Sequence, residues 1–212
     1  MTILYYLEGY VADSDSSGYD AVFLGPAAET PSTFSELAHV NNPPILDTLQ
    51  SIPTKLEFST PNVERLSRTN IVYNDFSFNI ISQPLIDAVS STGPMDWTLI
   101  PAKFFNEGKE VCQGRFSAVY FNEHSEFFDY ELSEYKRYNR NIPKDRFNER
   151  MLLPVRLIKK MVLKEPKEGF PPYFRLAASA AKVYVSSACR EAILDAKIDN
   201  VRMLPAKVQV IT

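Results

Sequence analysis

The residue types best suited to chemistry lie together in Asn122-Glu-His-Ser-Glu126, with Asp129 and Glu131 close behind. A histidine between carboxylates could hold a metal ion, or act as a general base with its pKa raised by Glu123 or Glu126. The spacing speaks for neither. In an extended chain Glu123 and His124 point to opposite faces, and no HExxH or further histidine nearby completes a ligand set. The favoured reading is a solvated turn between two aromatic strands. A metal-assisted hydrolase centred on His124, with Glu123, Glu126 or Asp129, is the alternative.

A second tract, Tyr135-Lys-Arg-Tyr-Asn-Arg140, continues to Lys144, Arg146 and Arg150. Bases interleaved with tyrosines could follow phosphates and stack on nucleotide bases, so Lys136 to Arg150 offers a nucleic-acid-binding alternative. Glu131, Glu134, Asp145 and Glu149 are interspersed, which favours a mixed-charge surface loop. The lysine-rich stretch from Arg156 to Lys167 reads as a half-buried element whose long side chains reach for water. His39 reads as surface decoration. With seven glycines and neither GxGxxG nor GxxxxGK[ST], the chain offers no phosphate-cradling loop. Cys112 and Cys189 have no zinc spacing and read as reduced thiols. No cofactor, no metal and no enzymatic activity are expected.

Charge is divided unevenly. No lysine or arginine precedes Lys55, while Glu8, Asp13, Asp15, Asp20, Glu29, Glu36 and Asp47 all do. Residues 1–110 hold 14 acids and 5 bases (net −9), and residues 111–212 hold 12 acids and 18 bases (net +6), giving the total of −3. Such a split governs steering and partner choice rather than fold. Either the acidic stretch is a solvated face, or Asp13, Asp15, Asp20 and Glu29 form a recognition face for a cationic protein.

The elements that must position these groups suggest an α+β fold with a mixed or antiparallel sheet and a few short helices. At 212 residues a single domain is expected, able to bury roughly 70% of its unfolded surface. Residues 1–54 read as an acidic, proline-rich wrap and 55–212 as a sheet-rich core, because Pro26, Pro31, Pro43, Pro44 and Pro53 exclude long regular elements. Strands are expected at 3–7, 55–58, 71–73, 76–80, 97–104, 116–121, 127–132, 173–176, 182–185, 201–204 and 208–211. The strand at 97–104 carries its proline at an end or edge. The polar residues from 133 to Arg150 suggest a loop or short helix, and 152–163 fits helix or strand. A helix over 82–90 follows from a Ser82 cap, Pro84 in its first turn and the Leu85/Val89 pair. Another over 187–197 has Ser187 as its cap and a stripe of Ala188, Ala192 and Ala196 with Cys189 and Ile193. The start lacks a secretory pattern, and nowhere do about eighteen apolar residues run together. A cytoplasmic protein without membrane association is therefore expected.

Spaced landmarks run from about residue 40 to the C-terminus: Asn42-Pro-Pro-Ile-Leu46, Lys55-Leu-Glu-Phe58, Ile80-Ile-Ser-Gln-Pro-Leu-Ile-Asp87 and Trp97-Thr-Leu-Ile-Pro-Ala102. They continue with Phe127-Phe-Asp-Tyr130 and Ser133, Ile158-Lys-Lys-Met-Val-Leu163, Tyr173-Phe-Arg-Leu176 and Val183-Tyr-Val-Ser186. In their order the chain resembles a family of bacterial immunity proteins, numbered eleven among those of polymorphic toxin systems and formerly a domain of unknown function. The resemblance implies a non-enzymatic partner that binds a cognate toxin and blocks it by occlusion. It assigns no role to Asp129 or Ser133. On that reading Tyr135 and Tyr138 join the acidic residues as contacts with the toxin.

Overall fold

The computed structural model describes residues 2–9, 22–23, 54–72, 79–121, 126–137, 155–176 and 178–211. The order is β1 (Leu4–Gly9), β2 (Val22–Phe23), β3 (Leu56–Ser59), α1 (Val63–Arg68), β4 (Ile71–Val72), β5 (Ile80–Ser82), α2 (Gln83–Ser90), β6 (Trp97–Asn106) and β7 (Lys109–Phe121). There follow β8 (Glu134–Arg137), β9 (Val155–Lys164), β10 (Tyr173–Leu176), β11 (Ser179–Ser186), α3 (Ser187–Asp195), β12 (Val201–Pro205) and β13 (Val208–Ile211). The class is α+β, as expected. Strands form sheets in the orders β2-β3-β6-β7-β5-β4, β10-β11-β1-β12 and β13-β9-β8. Pairing is antiparallel except for β3 with β6 and β13 with β9.

Period-two side-chain alternation on strands buried at both faces accounts for the layering. Along β1, Tyr5 and Leu7 enter one core while Leu4 and Tyr6 enter another; on β11, Val183 and Val185 separate from Tyr184 in the same way. The four-stranded sheet is therefore apolar on both sides. One face meets α2, α3 and the six-stranded sheet through Leu85, Val89, Cys189, Ile193 and Phe121; the other meets β9 through Met161 and Leu163. A third core, around Phe58, Phe104 and Phe116, covers the far face of the six-stranded sheet, where Leu66 of α1 packs. Each such fully buried side chain contributes about 1.5–3 kcal/mol.

Local chemistry sets the ends of the elements. Ser82 caps α2, its Oγ accepting from the Leu85 N–H at 3.4 Å. Helix α3 starts where expected, but its cap is Ser186, whose Oγ accepts from the Cys189 N–H at 3.2 Å. The small-residue stripe does not pack as a unit: Cys189 and Ile193 are buried, whereas Ala188 and Ala196 are exposed. Helix α1, unanticipated, begins at an Asn62 cap whose Oδ1 accepts from the Arg65 N–H at 2.8 Å. Strands β6 and β7 join through Glu107-Gly108, both at positive φ (49° and 77°), the geometry that matches a two-residue turn to strand twist. Pro101 lies within β6, where the pairing with β3 starts only at Ala102 and leaves a local edge for a residue without an N–H. Residues 155–164 are strand, with β13 and β8 as partners. Both cysteines are free, and burial pushes the Cys189 thiol up to about 12, away from thiolate chemistry.

Gly9 closes the gap between sheets. A Cβ there would stand 3.2 Å from both Cβ and the carbonyl oxygen of Ile71, which β4 holds against β5. Gly9→Ala should therefore lower stability by about 1 kcal/mol, despite the entropy a glycine removal returns. Chemical denaturation of the two proteins measures it, and equal or greater stability of the variant would show that β1 and β4 can separate freely.

Candidate functional site

The turn before β8 is built on two side chains. Phe128 bridges to Leu163, the Lys164 N–H donates to the Phe127 carbonyl at 2.8 Å, and the Asp129 N–H donates to the Val162 carbonyl at 2.9 Å. The chain then turns instead of continuing as the strand expected over 127–132. Asp129 causes the turn: its Oδ1 accepts from the N–H groups of Glu131 and Leu132, each at 2.8 Å, as short acidic side chains do when they compete with a sheet ladder. Ser133 Oγ fills the place of the missing strand, accepting from the Val162 N–H at 2.9 Å and donating to its carbonyl at 3.3 Å. Lys164 Nζ lies 3.1 Å from Asp129 Oδ2, whose side chain is only 3% exposed. The Leu132 N–H above all, with Lys164 and the Glu131 N–H, holds the Asp129 carboxyl below its ordinary value, outweighing the opposing effect of burial.

Behind this turn Phe128, Tyr130 and Tyr135 pack edge to face, with centroids 4.8 to 5.7 Å apart. Tyr135 thus faces the core beside Ile158. The other side of the strand pair faces water: Glu134 is opposite Lys160 and Lys136 opposite Leu157, all four exposed. Leu157 is 48% exposed, and Leu132 in the turn 52%. Register shifts accompany this exposure. Between Glu134/Tyr135 and between Lys136/Arg137, β9 carries an extra residue, so alternation is broken at Lys159 and again at Arg156. Lys159 and Lys160 are consequently both exposed.

The residues singled out from sequence are thereby separated. Tyr135 and Lys136 share β8 but turn to opposite sides. Asp129 is committed to the turn, and Glu126 and Glu131 are exposed. Glu123, His124, His39, Asp13, Asp15, Asp20, Glu29, Tyr138 and the basic residues from Arg140 to Arg150 lie outside the described residues. Among the described residues no group of three or more His, Cys, Asp or Glu could hold a metal ion, and no helix is long and apolar enough to cross a membrane.

Arg175 on β10 had no sequence role beyond its strand. It is 7% exposed, with its guanidinium 5.3 Å from the centroid of Phe121. Beside it, Tyr173 Oη accepts from Asn79 Nδ2 at 2.7 Å. Burial pushes the Tyr173 phenol up to about 12 and Arg175 down to about 10, so the first stays neutral and the second charged near neutral pH. The one visible signal was a charge inside the apolar run Tyr173-Phe-Arg-Leu176.

Ser133→Ala should cost about 1–3 kcal/mol in denaturant titration, because it strands a buried N–H of Val162. Asp129 adds a pH signature. Its folded pKa is depressed, so its contribution is complete above the unfolded value of 3.8 and disappears as pH falls through the folded value. Asp129→Asn should therefore narrow the stability difference from wild type as pH drops below about 4, and a difference constant with pH would contradict the assignment.

Comparison with protein-family models and with curated proteins finds no match for this chain.

Proposed function

We propose that the chain is an immunity protein that binds a cognate bacterial toxin in the cytoplasm and neutralises it by occlusion, with no chemistry of its own. The observation carrying this reading is the outward side of β8 and β9. Exposed Leu157, with exposed Leu132 in the adjoining turn, lies among Glu134, Lys136, Lys159 and Lys160. This face is stiffened from behind by the Phe128, Tyr130 and Tyr135 cluster. Apolar groups within a charged rim, on a scaffold ordered before the partner arrives, keep the entropy cost of association low.

The sequence landmarks support the same reading. Asn42 to Leu46 lies outside the described residues; the others fall on β3, the β5–α2 junction, β6, the Asp129 turn, β9, β10 and the β11–α3 junction, which build the cores and the outward face. Asp13, Asp15, Asp20 and Glu29, outside the described residues, supply acidic charge suited to drawing in a basic region of the toxin. Tyr135 supports the face from within, and Tyr138 follows it in sequence. Occupation of both Asp129 oxygens withdraws one of the three carboxylates that the hydrolase alternative could use. The inward packing of Tyr135 weighs against base stacking in the Lys136 to Arg150 alternative.

The toxin domain encoded in the adjacent reading frame provides the test. Mixed with the purified chain, it should form a one-to-one complex by light scattering and calorimetry and lose its toxicity in cells that express the chain. A pair that neither associates nor protects would end this reading.

A further inference from the structure

We infer that the outward side of β8 and β9 is a docking surface for an acidic, amphipathic segment of a partner protein, a deepening that rests on the immunity reading where it takes that partner to be the toxin. Charge complementarity selects this partner. Lys136, Lys159 and Lys160 are exposed and have no ion pair among the described residues. Nearby Lys164, by contrast, is committed to Asp129. Glu134 is the one carboxylate across the strand pair from them, opposite Lys160. The ammonium groups therefore give the face an excess of positive charge, which favours carboxylates on whatever docks there.

The extra residue at Lys159 is the device that produces this excess. Regular alternation would turn one of two consecutive lysines toward the core, where Ile158 and Met161 sit; the register shift leaves both exposed. Leu157, paired with Lys136, then offers an aliphatic contact beside them. A polyanion without apolar side chains would leave that leucine unused. Nucleic acid would further require ring faces for stacking, and Tyr135 and Tyr130 are packed edge to face with Phe128 instead. A protein segment that alternates carboxylates with apolar residues satisfies both the lysines and Leu157.

The test uses the full chain and a labelled synthetic peptide alternating glutamate with leucine, with a single-stranded oligonucleotide of equal charge as the competing probe. Fluorescence anisotropy should show the peptide bound, its affinity falling with salt, and about tenfold weaker binding to the combined variant Lys136→Glu, Lys159→Glu and Lys160→Glu. All three positions are exposed, so the variant should retain the circular dichroism of the parent; Lys→Gln at the same positions should weaken binding by a smaller factor. No peptide binding, equal binding by the variant, or tighter binding of the oligonucleotide overturns the inference and leaves the immunity reading standing. The toxin domain separates the two claims. Toxin binding unaffected by charge reversal removes this face as its docking site, whereas a toxin that never binds, beside a peptide that binds through the lysines, removes the toxin and retains the surface.

Discussion

The backbone of Val162 is the point on which the three-stranded sheet and its outward face depend. On a buried strand its N–H and carbonyl need partners, since leaving either unmet costs free energy comparable to a lost hydrogen bond. No neighbouring strand supplies them both. Ser133 Oγ meets the N–H, and the Asp129 N–H meets the carbonyl, while the Asp129 carboxylate folds the intervening chain into a turn. One serine and one aspartate thereby replace a length of strand. The substitution lets the chain leave the sheet at Asp129 and rejoin it as β8, delivering Leu132 to solvent between the two points.

This local solution is coupled to the larger architecture through Leu163, which neighbours Val162 and packs in the core with Phe174 and Tyr184. The four-stranded sheet in turn has its other face against α2 and α3. Alternating residues of single strands therefore bind the layers together: a displacement of β1 would disturb Leu4 in one core and Leu7 in the next. Arg175 is the exception within this apolar stack. Its guanidinium lies over the ring of Phe121, and an aromatic face offsets part of the cost of keeping a cation from water.

Elements with one clear signal were legible in the sequence. Ser82, Pro84 and the Leu85/Val89 pair define α2, and short runs of β-branched and aromatic residues in β1, β6 and β11 mark them as strands. Elements whose pattern is broken were not. In β9 the extra residues at Arg156 and Lys159 disrupt the period of two, so that Leu157, Ile158, Met161 and Val162 mimic a helical face. The Asp129 turn looked like a strand because its aromatics are dense and its cause is a carboxylate bonding to its own backbone. Helix α1 buries only Leu66, too little apolar surface to leave a period. Of the candidate site, sequence identified Tyr135 and the nearby bases, but their division between the two sides of a sheet required the register.

An immunity protein of this construction would carry its partner-facing groups on a strand pair fixed from behind by aromatic packing, with little rearrangement on binding. Hydrogen exchange on the complex with the toxin domain tests that claim most directly. The account predicts new protection in β8, β9 and the turn that joins Asp129 to Ser133. Protection confined to the β6–β7 hairpin or to α1, with β8 and β9 exchanging as in the free protein, would contradict it.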